Sequence, residues 1–288
     1  MAIEDVEVSR SRGIAKLFDN LKSDYQGAID YLNSGSGSRR GCLNIVTSYA
    51  ETKCLLAWFA DGDLQAHKQW AYVAAKLGRM IYQTTPAEWY PAYSHLYALL
   101  SDHPDIVNWY RQHTVSYFVA GEADDRDNPK MAAFHGYQTL LALNGKWDLL
   151  AQRSEQILGM NVTKDKRFLI DHRFYLALAK GDQAEMESVL RTLTSPTIAR
   201  VRNFEHAFAF TENLIATHAT VFAKIAWRHG FEVELDTPWV PREWLPILPL
   251  ERYDDPWDFM KTFDLYLPFE EGWADWSPVP GDRALVLP

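Results

Sequence analysis

Histidine is the side chain that most often binds metals and transfers protons. This chain has nine histidines, and their positions match no known motif for a metal site. No His-Glu-x-x-His and no Cys-x-x-Cys motif occurs. His218 and His229 lie eleven residues apart in one predicted helix. That spacing returns to the same helix face, but about 16 Å further along the axis. The histidines are therefore predicted to be helix-face or core residues, and the sequence predicts no metal and no cofactor.

Motifs for nucleotide binding and for nucleophilic catalysis are also missing. Gly35 and Gly37 followed by Gly41 come close to a dinucleotide-binding pattern, but the third glycine is displaced by one residue and no strand precedes it. A flexible linker explains these glycines. No Gly-x-Ser-x-Gly occurs, and neither Cys42 nor Cys54 has a histidine beside it in the sequence. A Cys/His pair built from distant segments stays open.

Paired carboxylates could in principle serve as general acid and base. The adjacent pairs are Asp124-Asp125, Asp254-Asp255 and Glu270-Glu271. Two acids act as a catalytic pair only when the fold holds them across a cleft, whereas neighbouring acids in polar loops usually face water. The sequence therefore predicts a protein that is not an enzyme. An all-α enzyme without a recognisable signature is kept as an alternative, after the two binding functions described below.

The end of the chain differs from the rest in charge and composition. Residues 231–288 contain 13 acidic and 4 basic side chains, whereas residues 1–230 contain 25 of each. The same end carries nine of the 14 prolines and five of the 11 tryptophans. The whole net charge of −9 thus comes from this end. An acidic chain is poorly suited to nucleic acid and well suited to a basic protein partner.

Two interpretations of this acidic, aromatic end are open. It is either a strap whose aromatic rings pack on the preceding helices, or a binding surface. In a binding surface, aromatic side chains provide affinity and acidic side chains attract a basic partner during association. Both can hold for different residues. The predicted partner-binding residues are Asp254, Asp255, Trp257, Asp258, Glu270, Glu271, Trp273, Asp275 and Trp276.

The elements that must position these residues are helices. Apolar residues spaced by three and four predict one helix over residues 14–32 and another over residues 42–60. No useful strand alternation precedes residue 231, and Glu232 to Leu235 alternates for only four residues, enough for one edge strand at most. No apolar run is long enough for a transmembrane helix, and the start of the chain has no secretory signal pattern. A cytoplasmic protein is expected.

Three similar turns suggest how the helices are arranged. They are residues 60–64, 143–147 and 179–182, each with a glycine between two helical patterns. Breaks at intervals of 36 to 42 residues suit stacked helical pairs of the tetratricopeptide or HEAT kind. The predicted fold is all-α: a helical-repeat-like array of about ten helices over residues 1–230, with an irregular Pro/Trp-rich acidic extension over residues 231–288 packed on it.

The segment from Ala223 to Leu245 resembles the end of the immunity-49 family of bacterial polymorphic-toxin immunity proteins. That family closes with an Ala-rich helix, a glycine, a short acidic and β-branched run, and an aromatic-x-Pro before a hydrophobic stop. The residues that match this pattern are Gly230, Val233, Asp236, Trp239, Pro241 and Leu245. The resemblance extends over roughly residues 130–245, and the tail beyond it is longer than is typical of the family. The residues predicted to be structural are Gly230, Asp236, Pro238, Trp239 and Pro241.

The resemblance implies a cytoplasmic protein that binds and neutralises a cognate toxin domain by stoichiometric protein–protein binding. A toxin that acts in the cytoplasm fits, and a nuclease with a basic active-site cleft suits an acidic extension whose carboxylates occupy phosphate positions. The alternative is a helical-repeat adaptor or scaffold that binds another protein or a peptide. Neither nucleic acid nor a membrane is expected as a partner, and the oligomeric state is left open.

Overall fold

In the computed structural model, the described residues are 5–84, 93–112, 127–130, 132–160, 168–198 and 210–266. Across these ranges every regular element is helical, and no strand is present among them. Ten of the helices in these ranges have seven or more residues. The predicted all-α class is therefore confirmed, whereas the stacked-repeat arrangement stays a prediction.

The described helices follow one another in a simple order. They are α1 (Val6–Asn20), α2 (Tyr25–Ser34), α3 (Arg39–Phe59), α4 (Leu64–Thr84), α5 (Leu96–Ser101), α6 (Pro104–Gln112), α7 (Ala132–Leu143), α8 (Trp147–Leu158), α9 (Leu169–Lys180), α10 (Gln183–Leu193), α11 (Thr217–Arg228) and α12 (Asp258–Lys261). Single 3₁₀ turns occupy Tyr93–His95 and Arg242–Trp244. None of the described helices is long and apolar enough to cross a membrane.

The single helix predicted over residues 14–32 is wrong, because two helices occupy this stretch. α1 ends at Asn20, and α2 begins at Tyr25 after a turn. The Asp24 side chain accepts a hydrogen bond of 3.0 Å from the Gly27 amide and so caps α2. An aspartate at the N-cap satisfies an amide that the helix leaves unpaired. The apolar periodicity continues through this break, and it therefore hid the cap.

The three glycine turns connect helices as the sequence predicts. Gly62, Gly145 and Gly181 have φ angles of 67°, 65° and 69°, the left-handed conformation in which glycine ends a helix without a Cβ clash. Each turn joins two helices that pack against each other: α3 on α4, α7 on α8, and α9 on α10. The Asp182 side chain also caps α10 by accepting from the Glu185 amide. Local turn chemistry thus sets the helical hairpins.

The centre of the structure is formed by α5 and α11. Every residue of α5 is buried, and residues 217–226 of α11 are buried without interruption. α11 packs against α5, α7 and α10, which brings the last long helix into the middle of the earlier ones. A helix that is apolar on all sides belongs in a core. Lys224 is therefore carried into the interior by its neighbours in α11.

Candidate partner-binding surface

The strap, defined as residues 231–266, is the described part of the acidic extension. It leaves the end of α11, contacts α1 and α10, and continues along α4. Among its residues, Glu232 and Glu234 are exposed while Val233 and Leu235 are buried, as alternation predicts, although no strand forms there. Its buried apolar residues are Val233, Leu235, Val240, Pro241, Trp244, Leu245 and Met260.

The strap begins at a glycine-terminated helix end. Gly230 has a φ of 83°, its amide donates to the Trp227 carbonyl at 3.1 Å, and the Phe231 amide donates to the Ala226 carbonyl at 3.0 Å. These two bonds form a Schellman motif, which satisfies carbonyls at the end of α11. The chain therefore leaves α11 in a fixed direction.

The other residues predicted to be structural lie a few positions further on. The Trp239 carbonyl accepts from the Ala216 amide at 2.8 Å, and the Pro238 carbonyl accepts from the Arg10 guanidinium. Pro241 is buried and precedes the 3₁₀ turn, whereas Asp236 is exposed. Main-chain contacts thus fix this stretch against α1 and the start of α11, and the structural role of the Asp236 carboxylate stays a prediction.

Trp244 anchors the first half of the strap in an aromatic cluster. It is 1% exposed, and its ring stacks on His67 with centroids 4.2 Å apart. Trp58 and Phe59 contact the same indole edge-on at 6.1 and 5.8 Å. Burial lowers the pKa of His67 to about 4, so this imidazole is neutral near pH 7. The cluster is an apolar anchor in which a histidine serves as an aromatic ring.

A buried ionic cluster lies beside this anchor. Asp102, at the turn between α5 and α6, has a left-handed φ of 56° and a side chain that is 0% exposed. One of its oxygens accepts from Lys224 Nζ at 2.8 Å and Arg228 Nη2 at 2.6 Å, and the other accepts from Lys68 Nζ at 2.6 Å. Charged hydrogen bonds of this length are strong in the interior, and removing one partner lowers the free energy of unfolding because the other charge stays buried. We name Asp102, Lys68, Lys224 and Arg228 the Asp102 cluster.

The strap completes the Asp102 cluster with its own main chain. The Leu248 amide donates to Asp102 at 3.2 Å, and Lys68 Nζ donates to the Leu248 carbonyl at 2.6 Å. Lys224 Nζ lies 3.5 Å from the Leu245 carbonyl and 3.4 Å from the Pro246 carbonyl. The strap is thereby joined to α4, α11 and the α5–α6 turn through one buried carboxylate.

The predicted partner-binding acids Asp254 and Asp255 have different environments. Asp255 accepts from Lys76 Nζ at 2.7 Å and from the Tyr72 hydroxyl at 3.0 Å, and its side chain is 18% exposed. Asp254 is exposed, and its main chain pairs with the Gln69 side chain through two bonds of 2.7 and 3.0 Å. Asp255 therefore attaches the strap to α4, whereas the Asp254 carboxylate points away from that contact and pairs with Arg252 at 2.8 Å.

Trp257 and Asp258 show the same contrast. The Trp257 ring is partly buried, lies 6.2 Å from the Trp70 ring and 6.3 Å from the Tyr49 ring, and stacks on Phe259. Asp258 is exposed and pairs with Lys261 at 2.7 Å, and this contact lowers the pKa of its carboxyl. The other predicted partner-binding residues lie outside the described residues: Glu270, Glu271, Trp273, Asp275 and Trp276.

An open cleft of about 430 Å³ lies between α1, the end of α3 and the strap. Its lining residues are Arg10, Trp58, Phe59, Thr237, Pro238, Val240, Pro241, Arg242 and Glu243. The Arg10 guanidinium lies 5.5 Å from the centre of the Phe59 ring, a cation–π contact. Aromatic surface with guanidinium groups at its edge suits contact with side chains of another protein.

A cysteine and a histidine from the two helices of the α3–α4 hairpin, 13 residues apart in the chain, meet in the interior. Cys54 Sγ lies 3.4 Å from His67 Nδ1, which also lies 2.9 Å from the Cys54 carbonyl oxygen. A thiolate nucleophile needs a lowered thiol pKa and a proton-accepting histidine. Here burial raises the pKa of Cys54 well above its ordinary value and lowers that of His67 to about 4. The pair favours the neutral forms of both groups, which suits a structural contact.

Two further histidines form a buried polar contact between α7 and α9. His135 Nδ1 lies 2.9 Å from His172 Nε2, and Gln138 lies 3.4 Å from the other nitrogen of His172. Burial, together with His135 and Arg153, lowers the pKa of His172 well below its ordinary value. Within the described ranges, no group of three or more potential ligand side chains could hold a metal ion. The contact links two helices of neighbouring hairpins.

The sequence does not predict the Asp102 cluster. Its cations lie 34, 122 and 126 residues from Asp102 in the chain, so no local motif joins them. One signal was present: Lys224 falls within an Ala-rich, apolar helix, where a lysine requires a buried partner.

Part of the chain matches the model of a known protein family. Residues 107–244 match the family model of Immunity protein 49. No curated protein and no solved structure matches the chain. The matched range contains most of the segment in which the sequence resembles the immunity-49 family, and it confirms that resemblance.

Proposed function

We propose that this chain, which carries the Immunity protein 49 family region at residues 107–244, neutralises a cytoplasm-acting toxin by stoichiometric binding. The family implies an immunity protein whose partner is a cognate toxin, and its members are typically binders rather than enzymes. The family match is the observation that carries the proposal. The toxin class and the contact surface rest on the charge and geometry of the strap.

The outer face of the strap favours a basic partner. Within residues 231–266, nine acidic side chains stand against three basic ones. The acids of its second half that are exposed are Glu251, Asp254, Asp258 and Asp264. Exposed charges of one sign accelerate association with a partner of opposite sign and select against partners of like sign. A nuclease has a cationic substrate cleft because it binds phosphates, so it fits this surface.

The contacts of the strap separate two roles among the residues predicted to bind the partner. Asp255 and Trp257 are occupied by α4 and by the aromatic rings of Tyr49 and Trp70. Asp254 and Asp258 are exposed, and their partners are the exposed side chains of Arg252 and Lys261. Asp254 and Asp258 are therefore the acids of this group that contact the toxin, while Asp255 and Trp257 hold the surface in place.

The first experiment identifies the partner. The full chain is expressed with the toxin domain encoded beside it and purified through a tag on the toxin. A complex of one copy of each chain supports the proposal. Recovery of the chain free of the toxin contradicts it, and recovery on an unrelated protein favours the adaptor alternative.

The second experiment tests the surface by calorimetry with the purified toxin domain. The double variant Asp254→Lys with Asp258→Lys is expected to raise Kd by about a hundredfold, since each close interfacial charge pair contributes roughly 1.5 kcal/mol or more. The control, Asp61→Lys with Asp148→Lys, changes the net charge equally at exposed positions outside the strap. Equal Kd values for both double variants would show that Asp254 and Asp258 do not contact the toxin.

A further inference from the structure

The Asp102 cluster contains more cationic groups than its single carboxylate can compensate. Lys68, Lys224 and Arg228 all bond to Asp102, and the side-chain exposures of the two lysines are 3% and 0%. A buried charge without a compensating partner is costly, and a lysine can avoid that cost by releasing its proton. The arginine side chain keeps its charge under all ordinary conditions. One of the two lysines is therefore the group that can become neutral.

The hydrogen bonds identify Lys224 as that lysine. Lys68 Nζ has two short bonds of 2.6 Å, to Asp102 and to the Leu248 carbonyl. Lys224 Nζ has one good bond of 2.8 Å to Asp102, on the oxygen that Arg228 also uses, and two long contacts of 3.5 and 3.4 Å to strap carbonyls. The hydrogen bonds thus stabilise the ammonium form of Lys224 less than that of Lys68.

Charged and titratable groups from every neighbouring element act on Lys224. α4 contributes Lys68 and neutral His67, α11 contributes Arg228, and the α5–α6 turn contributes Asp102. The strap contributes the carbonyls of residues 245 and 246 rather than a charge. Burial is the largest cause of a lowered Lys224 pKa of about 7, and Arg228 and Lys68 lower it further against the opposing effect of Asp102.

The strap closes this cluster from water. Its carbonyls at residues 245, 246 and 248 and its amide at residue 248 all face the cluster, and Leu245 is 2% exposed. The Tyr253 hydroxyl, which donates to the Ser101 carbonyl and accepts from the Leu250 amide at 2.9 Å, fixes the strap just beyond. If the strap leaves, Lys224 loses the cover of residues 245–248 and gains access to water, while Asp102, Arg228 and Lys68 stay beside it.

We propose that the Asp102 cluster is a pH-sensitive latch that holds the strap most firmly when Lys224 is neutral. The docked strap disfavours the proton on Lys224, and release raises the Lys224 pKa toward the ordinary lysine value of about 10.4. Release therefore takes up a proton above about pH 7, with about pH 10.4 as the upper end of the range, and docking strengthens as the pH rises through it. Below about pH 7 both states carry the proton, and docking no longer depends on this group.

Trypsin cleavage of the full chain measures the release of the strap. Arg252 lies in the strap with a side chain that is 84% exposed, and Lys22 lies in the α1–α2 turn with a side chain that is 78% exposed. Cleavage after Arg252 requires local release, and cleavage after Lys22 corrects for the pH dependence of the protease. The ratio of the two rates is expected to fall by about tenfold or more between about pH 7 and pH 9, and about fiftyfold is the limit for one proton with these two pKa values.

Two variants give opposite expectations for the same ratio. Lys224→Met removes the titrating charge, so the ratio becomes low and independent of pH. Lys224→Arg keeps a permanent charge, so the ratio becomes high and independent of pH. A wild-type ratio that changes by less than twofold, or one that changes equally in Lys224→Met, would overturn the latch.

A measurement on the wild-type chain alone covers the case in which neither variant folds. NMR of side-chain-labelled lysine is expected to show one Nζ signal that titrates near pH 7. Titration of every lysine signal above about pH 9.5 would overturn the latch. No toxin enters either experiment, so this result is independent of the proposed immunity function.

Discussion

The two halves of the strap share a composition but attach to the helices in different ways. In residues 231–250, Trp244 enters an aromatic cluster and the main chain bonds to the Asp102 cluster. In residues 251–266, the main chain and Asp255 bond to side chains of α4, Trp257 is only partly buried, and Met260 is the one fully buried side chain. The first half belongs to the core, and the second half lies on it as a surface layer.

This difference explains how one acidic segment can be both a strap and an interface. A binding surface needs exposed charge held in a fixed position, because ordering a loose segment on binding costs affinity. The first half provides the fixed attachment, and the second half presents Asp254 and Asp258 to solvent. The comparison predicts that substitutions in the first half unfold or loosen the protein, whereas exposed acids of the second half affect binding alone.

The largest effect is expected for Asp102→Asn. The variant leaves Lys68, Lys224 and the mostly buried Arg228 without their carboxylate, and breaking a buried ion pair from one side costs about 3–5 kcal/mol of unfolding free energy. Urea denaturation followed by circular dichroism measures this cost. Asp61→Asn, an exposed turn position, is the control and is expected to change stability by less than about 0.5 kcal/mol. A similar small change for Asp102→Asn would show that the Asp102 cluster does not hold the first half of the strap in the core.

A smaller contrast is expected between two tryptophans of the strap. Trp244→Ala removes a side chain that is 1% exposed and is expected to cost about 3–4 kcal/mol. Trp257→Ala removes a partly buried ring, and its expected cost is about 1–2 kcal/mol because less area returns to water. Thermal unfolding of both variants gives the comparison directly. If Trp257→Ala is the more damaging of the two, the second half is the true core attachment.

The sequence predicted those parts of this fold that depend on neighbouring residues. Gly62, Gly145 and Gly181 end helices because glycine adopts the left-handed conformation without strain, and that preference is visible in any local window. The break before Asp24 was missed, because the apolar period continues on both sides of it and only the cap marks the new helix.

The sequence predicts partner-binding residues in the acidic segment, but it does not distinguish the exposed carboxylates from those that bond to the helices. Asp254 and Asp255 are adjacent and chemically alike, yet only Asp255 reaches Lys76, which lies 179 residues earlier. The Asp102 cluster depends in the same way on contacts between distant parts of the chain. Composition shows that a segment is acidic, but packing decides which of its carboxylates are bound internally.

The smallest of these effects compares the two kinds of carboxylate in the second half. Asp255→Asn weakens the contacts to Lys76 and Tyr72 at a site that is mostly buried, so it is expected to cost about 1–2 kcal/mol. Asp258→Asn, at a fully exposed pair with Lys261, is expected to leave the midpoint of thermal unfolding unchanged. High salt sharpens the test, because it screens the exposed pair far more than the buried one. If both variants unfold at the same midpoint, Asp255 behaves like the exposed acids and is again a candidate toxin contact. If the midpoint falls for Asp255→Asn alone, Asp255 attaches the strap to α4.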